Sequence, residues 1–354
     1  MKKILAINPG STSTKIAVYA DEKPLLVQTI RHSIDDLAHY PRVIDQFEFR
    51  KDLVLKTLQD DGIPFDFDAI VGRGGLLKPI PGGVYEVNDA MLDDMMHAMR
   101  THACNLGCLI AAELAAALPR CRAFIADPGV VDELDEVARI NGSPLMPRIT
   151  IWHALNQRAI ARRYAKERGT RYEALNLIVC HLGGGISVGA HRKGRAIDVP
   201  NALDGEGPFS PERAGTLPAG DLIDLCFSGR FSQAELKKRI CGRAGLAAHL
   251  GTTDMQAIER RIAEGDEHAR LIVDAMIYQI AKSIGGAAVA LYGEVDAILL
   301  TGGMAHSDYI TSRLSRRVSF LAPVSIYPGE DELEALALNA LGALRGELEV
   351  KVYK

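Results

Sequence analysis

Short apolar runs and helical stripes alternate along the whole chain. Strand-like runs occupy residues 3–8, 15–20, 68–72, 122–126, 177–182, 186–190 and 296–300. Apolar residues at helical spacing predict helices over 43–60, 88–118, 152–168, 220–227, 232–240, 255–264, 268–291, 307–317 and 332–344. Strands alternating with helices, plus hairpins, predict a mixed-sheet α/β protein. Two prolines in residues 144–148 (PLMPR) mark the expected domain junction. A last helix, after Pro328-Gly329, is expected to pack back on the first domain, with a hinge near 329–332. The expected division is 1–147 with about 332–354, and 148–331.

Within this pattern one arrangement recurs. Residues 3–19 (KILAINPGSTSTKIAVY) read as a strand, a glycine turn rich in hydroxyls, and a second strand. Such a turn seats phosphate oxygens on backbone N–H groups, and Asn8 at the strand end offers an amide oxygen to a metal or its water. A plain surface hairpin whose Ser and Thr favour turns accounts for this segment alone equally well. Residues 177–190 repeat it, running from LIVCHL through Gly183-Gly184-Gly185 to ISVGA. A second pair, DAIVGRGG from Asp68 and DAILLTGG from Asp296, are strands ending in glycines. Two matched pairs in order point to a duplicated domain with a cleft between the copies.

The 354 residues suit two α/β domains, and 47% apolar with 24% charged residues is ordinary for a globular protein. A formal charge of −4 gives no reason to expect nucleic acid or an anionic membrane as partner. An anionic ligand would need a local basic cluster. Six cysteines without a CxxC motif suggest reduced thiols in a cytoplasmic protein. Pro9-Gly10 cuts the first apolar run too early for a signal peptide. The apolar stretch 106–118 carries Glu113 and is too short to span a bilayer.

Polar residues beside the glycines supply candidate chemistry. Arg73, between Gly72 and Gly74, suits two-point binding of carboxylate or phosphate. Arg213 lies in the irregular loop 205–218 (GEGPFSPERAGTLP). Asp127 closes the run AFIA before Pro128-Gly129, at an expected exposed strand end where α/β sheets bind ligands. His181 ends a strand just before the triple glycine. Arg73, Asp127 and His181 each also have a structural explanation: a salt bridge, a turn cap and a core histidine, respectively. His102 and His153 are more often packing than site histidines. GxGxxG is out of order here, and GxxxxGK[ST], HExxH and paired-cysteine metal motifs are absent.

Taken in order, INPGSTSTK, VGRGG, FIADPGVVDEL, HLGGGISVGAH, DGEGPFSPERAGTLP, TGGMAHS and YPGEDELEALA resemble the acetate kinase family of carboxylate kinases, nearest its butyrate kinase branch. The resemblance spans about residues 3–344. It implies two duplicated actin-like (ribonuclease H-like) ATPase domains around a cleft. It also implies ATP/ADP and Mg²⁺ as cofactors, a small carboxylate substrate, and a homodimer or higher homo-oligomer. On matching positions it implies Ser11, Ser13 and Lys15 in a first phosphate hairpin and Gly183, Gly184 and Gly185 in a second. Asp254, Gly302 and Gly303 fall on the nucleotide side, and Asn8 and Glu332 near magnesium. Arg73 and Arg213 would hold carboxylate and phosphoryl group, beside the essential Asp127, with His181, His102 and His153 in the active site.

Three departures stand out. Gly184 replaces the asparagine of the acetate kinases' HLGNG, Gln256 replaces an arginine, and Gly75 replaces a valine set against the acyl methyl. Loss of that wall is expected to make room for methylenes, each worth roughly 1–3 kcal/mol. The expected activity is reversible phosphoryl transfer from ATP to butyrate, isobutyrate or similar acids. An acetate or propionate kinase with a relaxed pocket is the alternative. A nucleotide-gated binding protein and a sugar kinase fit the two arginines less well.

Overall fold

A computed structural model describes residues 1–98 and 102–354. The chain forms two compact units, one of residues 1–131 with 331–354 and one of residues 132–330. The first change of unit therefore lies at Val131/Asp132, upstream of the two prolines. Residues just beyond it are tied to second-unit strands. Asp135 N–H donates to the Ile197 carbonyl (2.9 Å), and Arg192 donates to both Asp135 carboxylate oxygens.

The first unit holds a seven-stranded sheet. Its strands are β1 (Lys3–Pro9), β2 (Ser13–Ala20), β3 (Lys23–Arg31), β4 (Ala69–Arg73), β5 (Val84–Glu86), β6 (Arg122–Ala126) and β12 (Val350–Lys351), in the order β12-β5-β6-β4-β1-β2-β3. The second unit holds β7 (Asn176–Leu182), β8 (Ile186–Arg192), β9 (Arg195–Asp198), β10 (Ala297–Gly302) and β11 (Val324–Pro328), in the order β11-β10-β7-β8-β9. Strands β6-β4-β1-β2-β3 reproduce that second order. In both, the first strand pairs antiparallel with the next and parallel with the strand that follows a helical excursion. The two glycine hairpins and the two glycine-ended strands noted in the sequence fall on equivalent places in this repeated plan.

Burial explains which strands the sequence shows. The central strands β1, β4, β7 and β10 are buried nearly end to end, so they read as continuous apolar runs. Strand β3 is exposed on both faces apart from two half-buried positions, so it carries no alternating pattern and escapes the sequence reading. The short β5, β9, β11 and β12 escape it too. The expected 88–118 helix is two helices, Asp89–Met96 and Asn105–Ala116, with part of it, 99–101, lying outside the described residues.

Helices position the ends of these strands. Asn105–Ala116 packs on β4 and β6, and Glu332–Arg345 packs on β1 and β4. The first of these lies unusually close: a Cβ on Gly72 would sit 2.0 Å from the Gly107 carbonyl oxygen, and one on Gly107 would sit 2.6 Å from the Arg73 carbonyl oxygen. Only two facing glycines allow backbone to meet backbone in this way. In the second unit Ala154–Glu167 covers one face of the sheet and Glu267–Ala290 the other. Among the described residues the latter, at 24 residues, is longer than the apolar helix Asn105–Ala116. It is long and apolar enough to cross a membrane by length and composition, yet Val273, Met276, Ile277, Ile280 and Ile284 are core residues of this unit.

Candidate active site

In the first unit the turn between β1 and β2 is built on a residue the sequence reading missed. Arg50, fully buried, donates from Nη1 to the carbonyls of Gly10 (2.9 Å) and Ser13 (3.0 Å) and to Thr14 Oγ1 (3.1 Å). Its Nη2 reaches the Ser11 carbonyl (3.3 Å), and Gln46 Oε1 accepts from Nε and Nη2. Because a peptide's N–H points opposite its C=O, gathering these carbonyls turns the Ser11 and Thr12 N–H groups away from the guanidinium. Burial pulls Arg50 down to about 10, which still leaves it charged at neutral pH. The same burial, reinforced by Arg50, holds His32 at about 4 and therefore neutral. The hairpin thus sits over a fixed positive charge, with Ser11 and Lys15 exposed and Ser13 half-buried at its surface.

Three expected residues meet at the ends of β1, β4 and the last helix. Asn8 Nδ2 donates to Glu332 Oε2 (2.6 Å), Arg73 Nη1 donates to the same oxygen (2.7 Å), and Arg73 Nη1 lies 3.4 Å from Asn8 Oδ1. Asp127 follows Ala126, the register partner of Arg73. It is buried, not exposed as its strand-end position suggested. Its N–H donates to the Gly83 carbonyl, its Oδ1 accepts from Gly83 N–H (2.8 Å), and its φ of 38° is a left-handed geometry unusual for aspartate. Such strain persists where surrounding bonds fix it, and it aims the carboxylate. His102 is exposed ahead of the Asn105 helix, where its Nδ1 accepts from Cys104 N–H (3.2 Å). Among the described residues no cluster of three or more His, Cys, Asp and Glu forms a metal cage. Asn8 and Glu332 suit an ion such as Mg²⁺, which takes one or two protein oxygens and completes its shell with phosphate and water.

Gly75 does not open a pocket. A Cβ there would lie 2.5 Å from Asn105 Oδ1 and 2.6 Å from Asn105 Cα, and that Oδ1 accepts from Leu76 N–H (2.9 Å). The space a valine would take is already filled by the helix start, so this glycine serves packing.

The second unit brings together His153, His181, the triple glycine and Arg213. The buried His181 bonds through Nδ1 to Asn156 Oδ1 (2.8 Å) and meets Glu330 Oε1 through Nε2 (3.2 Å). His153 stacks on it, with ring centroids 3.8 Å apart and planes 9° apart. Gly183 is bare where that contact passes: a Cβ would lie 2.9 Å from both His181 Nε2 and Glu330 Oε1. Gly185 is bare against Arg213, whose Cζ would lie 2.4 Å from its Cβ. Arg213 Nη1 donates to the Ala202 carbonyl (3.0 Å). Its loop is pinned by the buried Ser210, which donates to the Gly184 carbonyl (2.6 Å) and accepts from Arg213 N–H (3.1 Å). Gly302 has φ +91°, and a Cβ there would strike the Leu182 carbonyl at 2.3 Å. Gly303, Asp254 and Gln256 line a cavity of about 540 Å³ with Gly183, Gly184 and Glu212. Asp254 also caps the helix Met255–Ala263 by accepting from Ala257 N–H (3.1 Å).

Comparison with known proteins agrees with this arrangement. The acetokinase family pattern matches residues 150–322. A protein named probable butyrate kinase, from Bacteroides thetaiotaomicron, is 73% identical over 352 residues, covering 99% of this chain and all of that one. The chain belongs to the acetokinase family. Butyrate kinase 2 of Clostridium acetobutylicum is 53% identical over 99% of both chains. Acetate kinase of Porphyromonas gingivalis superposes with a TM-score of 0.81 over 97% of this chain at 20% identity. That likeness speaks for the fold and bears out the actin-like α/β class, as the close relatives bear out the family read from the sequence.

Two outcomes follow from these contacts. Gly75→Val should lose about 3 kcal/mol of stability through overpacking against Asn105, read as a lower urea midpoint; an unchanged midpoint would contradict the packing described. His191, fully buried in the second unit, is held at about 3 by burial and then by Arg158. A histidine depressed in the folded state stabilises it above the unfolded value near 6.5, and that contribution drains away as pH falls toward the folded value. Between pH 7 and pH 5 the wild type should therefore lose about 2 kcal/mol more than His191→Gln. Equal losses would show that His191 titrates normally.

Proposed function

We propose that this member of the acetokinase family phosphorylates a short-chain fatty acid, butyrate foremost, with ATP, reversibly giving acyl phosphate and ADP. The observation that carries the reading is the arginine packed against a glycine turn: the Arg213 guanidinium fills the space a side chain on Gly185 would take, in the turn that follows the strand bearing His181. The close relatives named butyrate kinases support the choice of acid.

The chemistry asks little of a base. A carboxylic acid of pKa roughly 4 is already ionised at neutral pH. One carboxylate oxygen attacks the γ-phosphorus, the bond to the β-bridging oxygen breaks, and ADP leaves with that electron pair. The obstacles are repulsion between anions and charge on the in-line phosphoryl group. Arg73 and Arg213 neutralise that charge as fixed donors, and His181 adds a third contact. In this reading Arg73 exchanges Glu332 for substrate. Asp127 has no proton to remove; it orients. Asn8 and Glu332 would hold Mg²⁺, which would supply positive charge to the phosphate oxygens. Ser11, Ser13 and Lys15 over Arg50 suit phosphate oxygens, as do the backbone N–H groups of Gly183–Gly185. The nucleoside occupies the cavity lined by Asp254, Gln256 and Gly303, with Gly302 shaping its wall. His102 and His153 complete the site.

The wider reading is a homodimer in the cytoplasm. Exposed Leu271, Tyr278 and Val289 on one long helix offer a surface for self-association, and buried Cys104, Cys108 and Cys180 suit a reducing compartment.

Replacing Arg73 with alanine should cost about 3 kcal/mol of transition-state stabilisation, a hundredfold or more in kcat/KM, with the protein still folded by circular dichroism. Near-normal turnover would remove Arg73 from the mechanism. A hydroxamate assay across two- to five-carbon acids should favour butyrate over acetate. Preference for acetate or propionate would move the assignment to that branch, and ATP hydrolysis without acyl phosphate would end it.

A further inference from the structure

A line of side chains in the second unit ends on His153, and its direction is readable because one partner can only accept. Gln157 Nε2 donates to the Ser187 backbone carbonyl (3.0 Å), which fixes the orientation of the amide. Gln157 Oε1 therefore faces His191 Nε2 (3.0 Å) and must accept from it. His191, neutral through burial, carries its proton on Nε2, and its Nδ1 accepts the Tyr172 hydroxyl (2.6 Å). The other hydrogen of Gln157 Nε2 goes to Ser187 Oγ (2.9 Å). Ser187 Oγ also receives the His153 N–H (3.4 Å), so its own hydrogen is left for His153 Nδ1 at 2.7 Å. Gly189 leaves room for the line: a Cβ there would lie 2.6 Å from Gln157 Oε1 and 2.9 Å from His191 Nε2.

We propose that Gln157, Ser187 and His191 are positioning residues that hold His153 as the Nε2–H tautomer, so that its ring offers a neutral hydrogen-bond donor to a substrate oxyanion. A hydrogen bond at one ring nitrogen decides what the other can do. The stacking fits this division. His181 faces an amide oxygen at Nδ1 and a carboxylate oxygen at Nε2, and the His153 ring lies parallel to it 3.8 Å away, so the stack fixes the plane of the ring whose Nδ1 meets Ser187. Only the substrate oxyanion rests on the carboxylate-kinase reading; the tautomer rests on the network.

The test is a long-range ¹H–¹⁵N correlation spectrum of the full-length protein at neutral pH, with His153 assigned from the peaks lost in His153→Gln. The expected pattern has an unprotonated Nδ1 and a protonated Nε2. In Ser187→Ala the two tautomers should mix, and kcat should fall about tenfold, the worth of one hydrogen bond, while KM for ATP holds. A protonated Nδ1 in the wild type overturns the proposal, as does an unaltered His153 pattern in folded Ser187→Ala. Should that variant fail to fold, the wild-type spectrum decides alone. An Nε2–H ring in a protein that phosphorylates no carboxylate would support the tautomer while removing the proposed function.

Discussion

The first unit depends on a contact between two pieces of backbone. Helix Asn105–Ala116 crosses β4 with Gly72 against Gly107 and Gly75 against Asn105, closer than any side chain would permit. Dispersion falls steeply with separation, so this approach packs the strand end rigidly. Arg73 lies between the two glycine contacts, and its guanidinium inherits that rigidity before it meets Asn8 and Glu332. Several glycines that look like phosphate-binding residues in the sequence therefore act partly as spacers. Gly183, Gly185 and Gly302 do the same in the second unit, making room for the His181–Glu330 contact, a guanidinium and a carbonyl.

Electrostatics is divided between two kinds of arginine. Arg73 and Arg213 present guanidinium groups near strand ends and loops. Arg50 is withdrawn from solvent and satisfied only by neutral acceptors among the described residues, so its charge is expressed through the peptide groups it gathers. A buried charge without a counter-ion is costly unless well hydrogen-bonded. Six hydrogen bonds to oxygen meet that need.

Much of this was legible in the residues. Buried central strands announce themselves as apolar runs, and the paired glycine turns mark a repeated plan that the two sheets share. Asn8, Arg73 and Glu332 were named separately from motifs and meet in space, as do His153 and His181. What stayed hidden was hidden for physical reasons. Strand β3 is mostly exposed, with only Leu26 and Ile30 half-buried against the core, and the 88–118 periodicity conceals two helices. Arg50 sits in a helix whose pattern gives no sign that an arginine faces inward. Gln157 and Ser187 act only through their partners, which periodicity does not reveal. Gly75 misled because a missing side chain was taken for empty space, whereas the neighbouring helix fills it.

The Arg50 charge, which has no counter-ion among the described residues, also bears on how the folded protein responds to anions. Any multiply charged oxyanion resting on the hairpin would relieve self-energy that the ligand-free chain must carry. Occupancy there should then raise the melting temperature beyond what its surface contacts alone would give. The anion-free protein would be held slightly below its attainable stability, with the remainder supplied by whatever oxyanion occupies the hairpin.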